Sequence, residues 1–354
     1  MMASPGLLAR GAAMLQSHWW RPRPTLLCQA LRPLSWLYRG MAVAHQAFVR
    51  PQSAAVPVIV VGNLVVGGAG KTPTVMALVQ ALQAHGYRPG VLSRGYGRSG
   101  QEPCAVKLDS AASTVGDEPL LIHRRTAAPV WVCRDRLATG RALCAQHPEV
   151  DVLVCDDGLQ HHALQRQFEL VVFDDRGAGN GLLLPAGPLR QPLPTTLLQN
   201  TWLLYTGTKA STALPGHQGR RTLGRAWPLA DWWAGRGQAT RELSHWQGQP
   251  VLAVAGLAAP QKFFSMLHAA GLQVQRVPQP DHSLYITLPW PEGVAQDILV
   301  TEKDAVKLRP GRPGTQRVWV VPLDFSLPAA LSRALIASLP CPSISITCVK
   351  VWLA

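Results

Sequence analysis

From Val56 onward, short apolar runs alternate with stretches in which apolar residues recur every three or four positions. That alternation predicts an α/β protein built on a parallel sheet. Val58-Ile59-Val60-Val61 predicts a buried strand, and the segment after Lys71 places Val75, Leu78, Val79 and Leu82 on one helical face before stopping near Gly86. Further strands are predicted at 90–93, 130–133, 152–155 and 170–173, with a helix over about 137–146. Between 207 and 248 the pattern breaks into Gly, Arg, Gln and Trp with little periodicity, which reads as a connection. A second α/β block opens at Val251-Leu252-Ala253-Val254 and continues through a helix near 261–270 and strands near 298–301 and 318–321. No internal repeat is present, and 341–354 carries no signal.

The first fifty residues follow a different rule. After Pro33, Leu34, Leu37, Tyr38, Met41 and Phe48 share one helical face, and Trp19, Trp20 and Trp36 favour a headgroup region. No Asp or Glu precedes Glu102, whereas Arg10, Arg21, Arg23, Arg32, Arg39 and Arg50 do. This predicts a helix lying in a membrane interface, on an anionic surface. A helix packed on the protein's own core is the alternative reading. No apolar stretch of about 18 residues predicts a spanning helix, and no cleavable signal pattern is present.

Composition narrows the partners. The 354 residues carry a net charge of +14 with 47% hydrophobic and 15% charged positions, so the chain folds around sizeable cores and favours an anionic partner. Nucleic acid, acidic lipid and phosphorylated substrates all satisfy that charge. No zinc, RNA-recognition or helix-turn-helix signature is evident, so no nucleic-acid partner is expected. The seven cysteines are scattered without a CxxC pair, which fits a reducing, cytosolic environment rather than a disulfide framework.

The chemistry concentrates in the loop after the first strand. Val65, Val66, Gly67, Gly68, Ala69, Gly70, Lys71 and Thr72 connect a buried strand to an amphipathic helix. Glycines there turn backbone N–H groups toward phosphate oxygens, and the helix start adds its positive end. Lys71 would reach the β- and γ-phosphates of ATP, and the Thr72 hydroxyl would ligate Mg²⁺. Val65 stands where a strict Walker pattern has its first glycine. Val152-Leu153-Val154-Cys155 ends in Asp156-Asp157, the acidic strand tip expected beside such a loop. The expected fold is a P-loop NTPase-like parallel core over 51–206 and a smaller α/β domain with its connection over 207–340. Residues 1–50 form the membrane-associated segment and 341–354 a tail.

Several motifs in order go further. Val61-Gly62-Asn63-Leu64, the Gly-Gly-Ala-Gly-Lys-Thr loop, Ser93-Arg94-Gly95-Tyr96-Gly97-Arg98, Gly116-Asp117-Glu118-Pro119 and Asp156-Asp157-Gly158-Leu159-Gln160-His161 are followed by Leu184-Pro185-Ala186-Gly187-Pro188-Leu189-Arg190, Asp281-His282 and Thr301-Glu302-Lys303-Asp304-Ala305-Val306-Lys307. From about Trp20 to Leu323 the chain resembles the tetraacyldisaccharide 4′-kinases of lipid A synthesis. The resemblance implies a peripheral enzyme on the cytoplasmic face of the bacterial inner membrane. Its reaction would move the ATP γ-phosphoryl to the 4′-hydroxyl of a lipid A disaccharide 1-phosphate precursor. Departures from the family are Ala69, often Asn or Thr, and Ser283, where many relatives carry a second His after the Asp-His pair. The first dozen residues read as an extension, with Met14 an alternative start.

The resemblance also implies roles. Asp117 is the expected base and His282 its partner, with Lys71 the third catalytic group; spacing alone does not pair the first two. Glu118 joins Thr72 and Asp156 as an expected Mg²⁺ ligand. Arg94, Tyr96, Asp157, Gln160, His161 and Arg190 are expected at the substrate, whose 1-phosphate suits arginine; Arg190 alternatively meets the transferring phosphoryl group. Lys303 and Lys307 serve either nucleotide recognition or the domain junction. A competing class is a partner-switching P-loop ATPase or GTPase. Such proteins often carry a Lys before the Gly-Gly pair, where this chain has Val66, and a GTPase carries an Asn-Lys-x-Asp motif that is absent here.

Overall fold

The computed structural model describes residues 7–342 except 97, 99, 238 and 313. The N-terminal residues 1–6 and most of the expected tail, 343–354, lie outside the described residues. Strands β1 (Val58–Gly62), β2 (Pro89–Ser93), β3 (Cys104–Ala105), β4 (Val130–Val132), β5 (Val152–Asp156), β6 (Phe168–Phe173), β7 (Thr201–Tyr205) and β8 (His217–Gln218) form one sheet. Their order is β3-β4-β2-β5-β1-β6-β7-β8, parallel apart from β3. Strands β9 (Arg220–Leu223) and β15 (Leu323–Ser326) make a separate antiparallel ladder. A second sheet, in the order β10-β14-β13-β11-β12, uses β10 (Trp227–Pro228), β11 (Pro250–Ala255), β12 (Gln273–Pro278), β13 (Ile298–Thr301) and β14 (Val318–Val321). It too is parallel except for one edge, β10.

Every residue of β1, β2 and β5 is buried, as strands covered on both faces require. The covering helices include α4 (Lys71–Ala84), α6 (Asp117–Thr126) and α7 (Arg136–Gln146), while α5 (Ala112–Val115) is one short turn ahead of α6. The second sheet carries α8 (Leu229–Ala234), α9 (Pro260–Ala269), α10 (Glu302–Ala305) and α11 (Ala329–Ser338). One apolar cluster joins Val75, Leu78 and Leu82 of α4 to Leu252, Val300 and Val320 of the second sheet. Each buried aliphatic side chain contributes about 1.5–3 kcal/mol to holding these layers.

The segment 207–248, expected as irregular connection, contains β8, β9, β10 and α8. Arg220-Arg221-Thr222-Leu223 is polar, so β9 shows no apolar run; its pairing with β15 makes it a strand. Strand β12 also escaped prediction, because an edge position leaves Gln273, Gln275 and Arg276 exposed. Trp202-Leu203-Leu204-Tyr205 had the apolar signal and belongs to β7.

Helices α1 (Leu7–Trp19), α2 (Leu26–Ala30) and α3 (Arg32–Phe48) precede the first sheet. They rest on the segment 179–190. Trp19 Nε1 donates to the Pro185 carbonyl at 3.0 Å, Ser35 Oγ to the Leu183 carbonyl at 2.9 Å and Tyr38 OH to the Arg190 carbonyl at 2.8 Å. This corrects two expectations. Trp19 is buried, and Trp20 is half-buried with the Arg176 guanidinium 4.3 Å over its ring, so neither is free for a headgroup. Tyr38 turns toward the protein, since its hydroxyl finds an acceptor there. The outer face retains Leu34, Trp36, Leu37, Met41, Val43 and Phe48, all exposed. No helix among the described residues is long and apolar enough to cross a membrane.

Candidate active site

A cavity of about 560 Å³ opens at the carboxyl ends of β1, β2 and β5 and is roofed by residues of the second sheet. Strand β1 is where the sheet order reverses, with β5 and β2 to one side and β6 and β7 to the other. Ligands of open α/β sheets bind at such a reversal.

The floor is the loop between β1 and α4. Gly67 and Gly70 adopt φ of 90° and 88°, a region that disfavours side chains. Three successive carbonyls are held by side chains. Asn63 Nδ2 donates to Gly67 O at 3.1 Å, Arg176 Nη2 to Gly68 O at 2.6 Å and Thr206 Oγ1 to Ala69 O at 2.8 Å. Among the described residues, the N–H groups of Gly67 through Thr72 donate to no protein acceptor. With α4 contributing the positive end of its dipole, about half an elementary charge, the loop is a cradle for a polyanion. Lys71 Nζ lies 3.0 Å from Asn63 Oδ1 and 3.4 Å from Asp157 Oδ1.

Asp156 is buried at the tip of β5. Its Oδ2 accepts from Ser93 Oγ at 3.3 Å, and its Oδ1 is buried with no partner among the described residues. Burial pushes its carboxyl well above the usual range, and the neighbouring charges of Glu118 and Asp157 add to this. Thr72, Asp156 and Glu118 line the cavity together. No group of three or more His, Cys, Asp or Glu among the described residues holds an ion alone. An orphaned carboxylate oxygen on the cavity that Thr72 also lines fits a hard cation shared with phosphate oxygens and water, the usual mode for Mg²⁺. Glu118 is already engaged by Lys303 Nζ at 2.9 Å.

Asp117 begins α6, one residue after Gly116 at φ 95°. His282 reaches it from the other sheet's loop, with Nδ1 3.0 Å from Asp117 Oδ2. Burial pushes the Asp117 carboxyl up, but the His282 hydrogen bond and the charges of Lys303, His282 and Lys307 outweigh it and leave it below its usual range. The same hydrogen bond raises the His282 imidazole despite burial. Tyr96 stands against the ring of His282, centroids 5.0 Å apart.

The Thr-Glu-Lys-Asp motif explains how these parts stay together. Lys303 Nζ pairs with Glu118 and, at 3.1 Å, with Asp281. Lys307 is buried with Nζ 3.4 Å from Asp304 and 3.9 Å from Asp117. Asp304 accepts from the Gly256 amide, Tyr285 OH and Thr301 Oγ1, tying down the loop that carries His282. Both lysines therefore face the Asp117–Glu118 end of α6.

Of the expected substrate residues, Arg94, Tyr96, Asp157 and Arg190 line the cavity. Arg190 Nη1 pairs with Asp157 Oδ1 at 3.1 Å and takes Gln160 Oε1 as a second acceptor at 3.3 Å. Gln160 thus stands behind Arg190 rather than on the wall. His161 also lies off the lining, with Nε2 buried and unpartnered among the described residues; burial, then Arg136, lowers its imidazole. Val65 and Val66 lie outside the lining as well, Val65 being buried in a bridge to Leu189. Sequence reasoning missed Arg176, Thr206, Arg221 and Lys262. None sits in a motif that points at phosphate chemistry, and only long-range packing brings them to the loop and its cavity.

The comparisons agree with one another. Residues 27–340 match the sequence profile of the tetraacyldisaccharide-1-P 4′-kinase family. A tetraacyldisaccharide 4′-kinase from Leptothrix cholodnii is 52% identical over 321 residues, covering 88% of this chain and 92% of its own. Another from Methylibium petroleiphilum is 51% identical over 350 residues, covering 95% and 96%. Among solved structures, LpxK from Aquifex aeolicus, crystallised in complex with ATP, superposes with a TM-score of 0.72 at 27% identity, covering 89% of this chain and all of that one. The chain therefore belongs to the tetraacyldisaccharide-1-P 4′-kinase family.

Proposed function

We propose that the cavity carries out the family's reaction with Asp117 as base. The protein is an ATP-dependent kinase that phosphorylates the 4′-hydroxyl of the tetraacyldisaccharide 1-phosphate in lipid A biosynthesis. The observation that carries the reading is the row of uncommitted N–H groups from Gly67 to Thr72, facing the buried Asp117 carboxylate and its half-buried His282 partner across one cavity.

In this mechanism the loop amides and Lys71 hold the β- and γ-phosphates of ATP. The acceptor's 4′-oxygen attacks phosphorus, the bond to the β–γ bridging oxygen breaks, and ADP leaves. Asp117 takes the hydroxyl proton as the new bond forms, held in place by His282 Nδ1. Thr72 and Asp156 would hold Mg²⁺, with Glu118 beside them; the ion's chemistry is neutralisation of charge on the phosphates. Arg94, Tyr96, Asp157 and Arg190 would orient the acceptor, and Arg190 is suited to its 1-phosphate or to the transferring group.

The exposed face of α3 is proposed as the membrane contact on the cytoplasmic side of the inner membrane. Tyr38 joins that helix to the backbone of Arg190, so a helix resting on lipid would set the cavity at a fixed height. Work at the membrane would divide between a P-loop core, 51–206 with the strand that follows it, and a smaller α/β lobe up to 340. Replacing Trp36, Leu37 and Met41 together by Ser should weaken binding to anionic vesicles at least ~10-fold, from about 1.5–3 kcal/mol of apolar contact per side chain at most. Vesicle co-sedimentation reads this, and unchanged binding would move the anchor elsewhere.

The decisive assay is incubation with labelled ATP and purified disaccharide 1-phosphate, followed by product mass. A lipid carrying one added phosphate is expected, with little ATP hydrolysis when the acceptor is left out. Rapid hydrolysis without acceptor would favour the partner-switching ATPase class instead.

A further inference from the structure

Arg221 is a half-buried cation with no side-chain partner among the described residues. It projects from β9, the polar strand of the ladder between the two sheets, and lines the cavity. Its side chain makes no hydrogen bond or ion pair with any described residue, and its Nε is sealed from solvent. Nη2 sits so close to Gly70 that a Cβ there would collide with it, while Thr206 Oγ1 would lie 3.0 Å from the same Cβ. Burial lowers its guanidinium against the pull of Asp174 and Asp175. Both acids are already occupied: Asp174 by Arg176 at 3.0 Å, and Asp175 by Lys262 at 3.0 Å.

A guanidinium drawn partly out of water without a protein partner carries a desolvation cost, and an anion supplied by a ligand in the cavity offsets that cost. Its position says which part of the ligand. Asp117 and Asp156 lie on the β2–β5 side of the phosphate loop, so the transferred γ-phosphoryl must point there. Arg221 and Thr206 lie on the β7 side. We propose that Arg221 is a nucleotide-binding residue that pairs with the non-transferred phosphates of ATP. The assignment rests on the kinase reading above. It also places a nucleotide contact on the ladder that links the two sheets, so a bound nucleotide grips that link.

The test is Arg221→Gln and Arg221→Lys in the full chain, read by ATP titration, steady-state kinetics and thermal melting with and without ATP. Losing charge-assisted contacts should weaken ATP and ADP binding by about 10–100-fold in Arg221→Gln. Adenosine affinity and the KM for the lipid should stay within about twofold of the parent, and Arg221→Lys should fall between. The ligand-free melting temperature should not drop, because the parent's guanidinium has no partner among the described residues to lose. A lower ligand-free melting temperature with unchanged ATP affinity would make Arg221 structural and overturn the proposal. Equal ATP binding by parent and Arg221→Gln would also overturn it while leaving the kinase reading intact. A parent that binds no ATP would remove both.

Discussion

Asp117→Asn is expected to lower kcat by about 10²–10⁴-fold, the usual worth of a positioned base, with ATP affinity nearly unchanged. Asparagine keeps the shape and still accepts from His282, but it cannot take the acceptor's proton. The phosphate loop is untouched by the change, so nucleotide titration serves as the control for folding. Because Lys303, Lys307 and His282 all face this carboxylate, the variant should also melt at a lower temperature. Turnover within tenfold of the parent, with ATP binding intact, would remove Asp117 from the role of base.

The same pair sets a pH signature. The folded Asp117 pKa is lowered, so its contribution to stability is present above the unfolded value of about 3.9 and is lost as pH falls through the lower folded value. The folded His282 pKa is raised, so its contribution is complete below about 6.5 and is lost as pH rises through the higher folded value. Both terms are therefore complete between about pH 3.9 and 6.5. The melting-temperature gap between parent and His282→Gln should be widest there and should narrow on the alkaline side. A gap that grows with rising pH would contradict the pairing.

Lys71→Ala is expected to cost about 10²–10³-fold in kcat, the loss seen when one preorganised donor to developing charge is removed. It should weaken ATP binding as well. In the ligand-free protein Lys71 leans on Asn63 and Asp157, so its loss leaves Asp157 with Arg190 alone. A modest change in melting temperature and a large change in turnover are expected together. Melting curves and single-turnover transfer measure them separately, and normal single-turnover transfer would exclude Lys71 from the reaction.

Local pattern carried much of this protein. The strand–loop–helix around Gly67–Thr72 was legible because apolar periodicity and glycine placement are properties of adjacent residues. The acidic tip of β5 was legible for the same reason, and so was the outer face of α3. Other features belong to pairs far apart in the chain. Nothing in the spacing of Asp117 and His282 says that their side chains meet; Asp304, Tyr285 and Lys307 bring them together across two sheets. Trp19 reads as a headgroup anchor until the Pro185 carbonyl takes its N–H. Arg221 sits in a polar stretch without periodicity, and only the pairing of β9 with β15 aims it at Gly70.

By itself, then, the sequence determined the α/β layers, the phosphate loop and the order of the motifs, since each depends on near neighbours and on burial that repeats with a fixed period. Tertiary structure alone decided which carboxylate meets which imidazole, which tryptophans are buried and which cation faces the loop with no partner among the described residues. Those outcomes depend on long-range packing, where partners are chosen by the geometry of the assembled sheets.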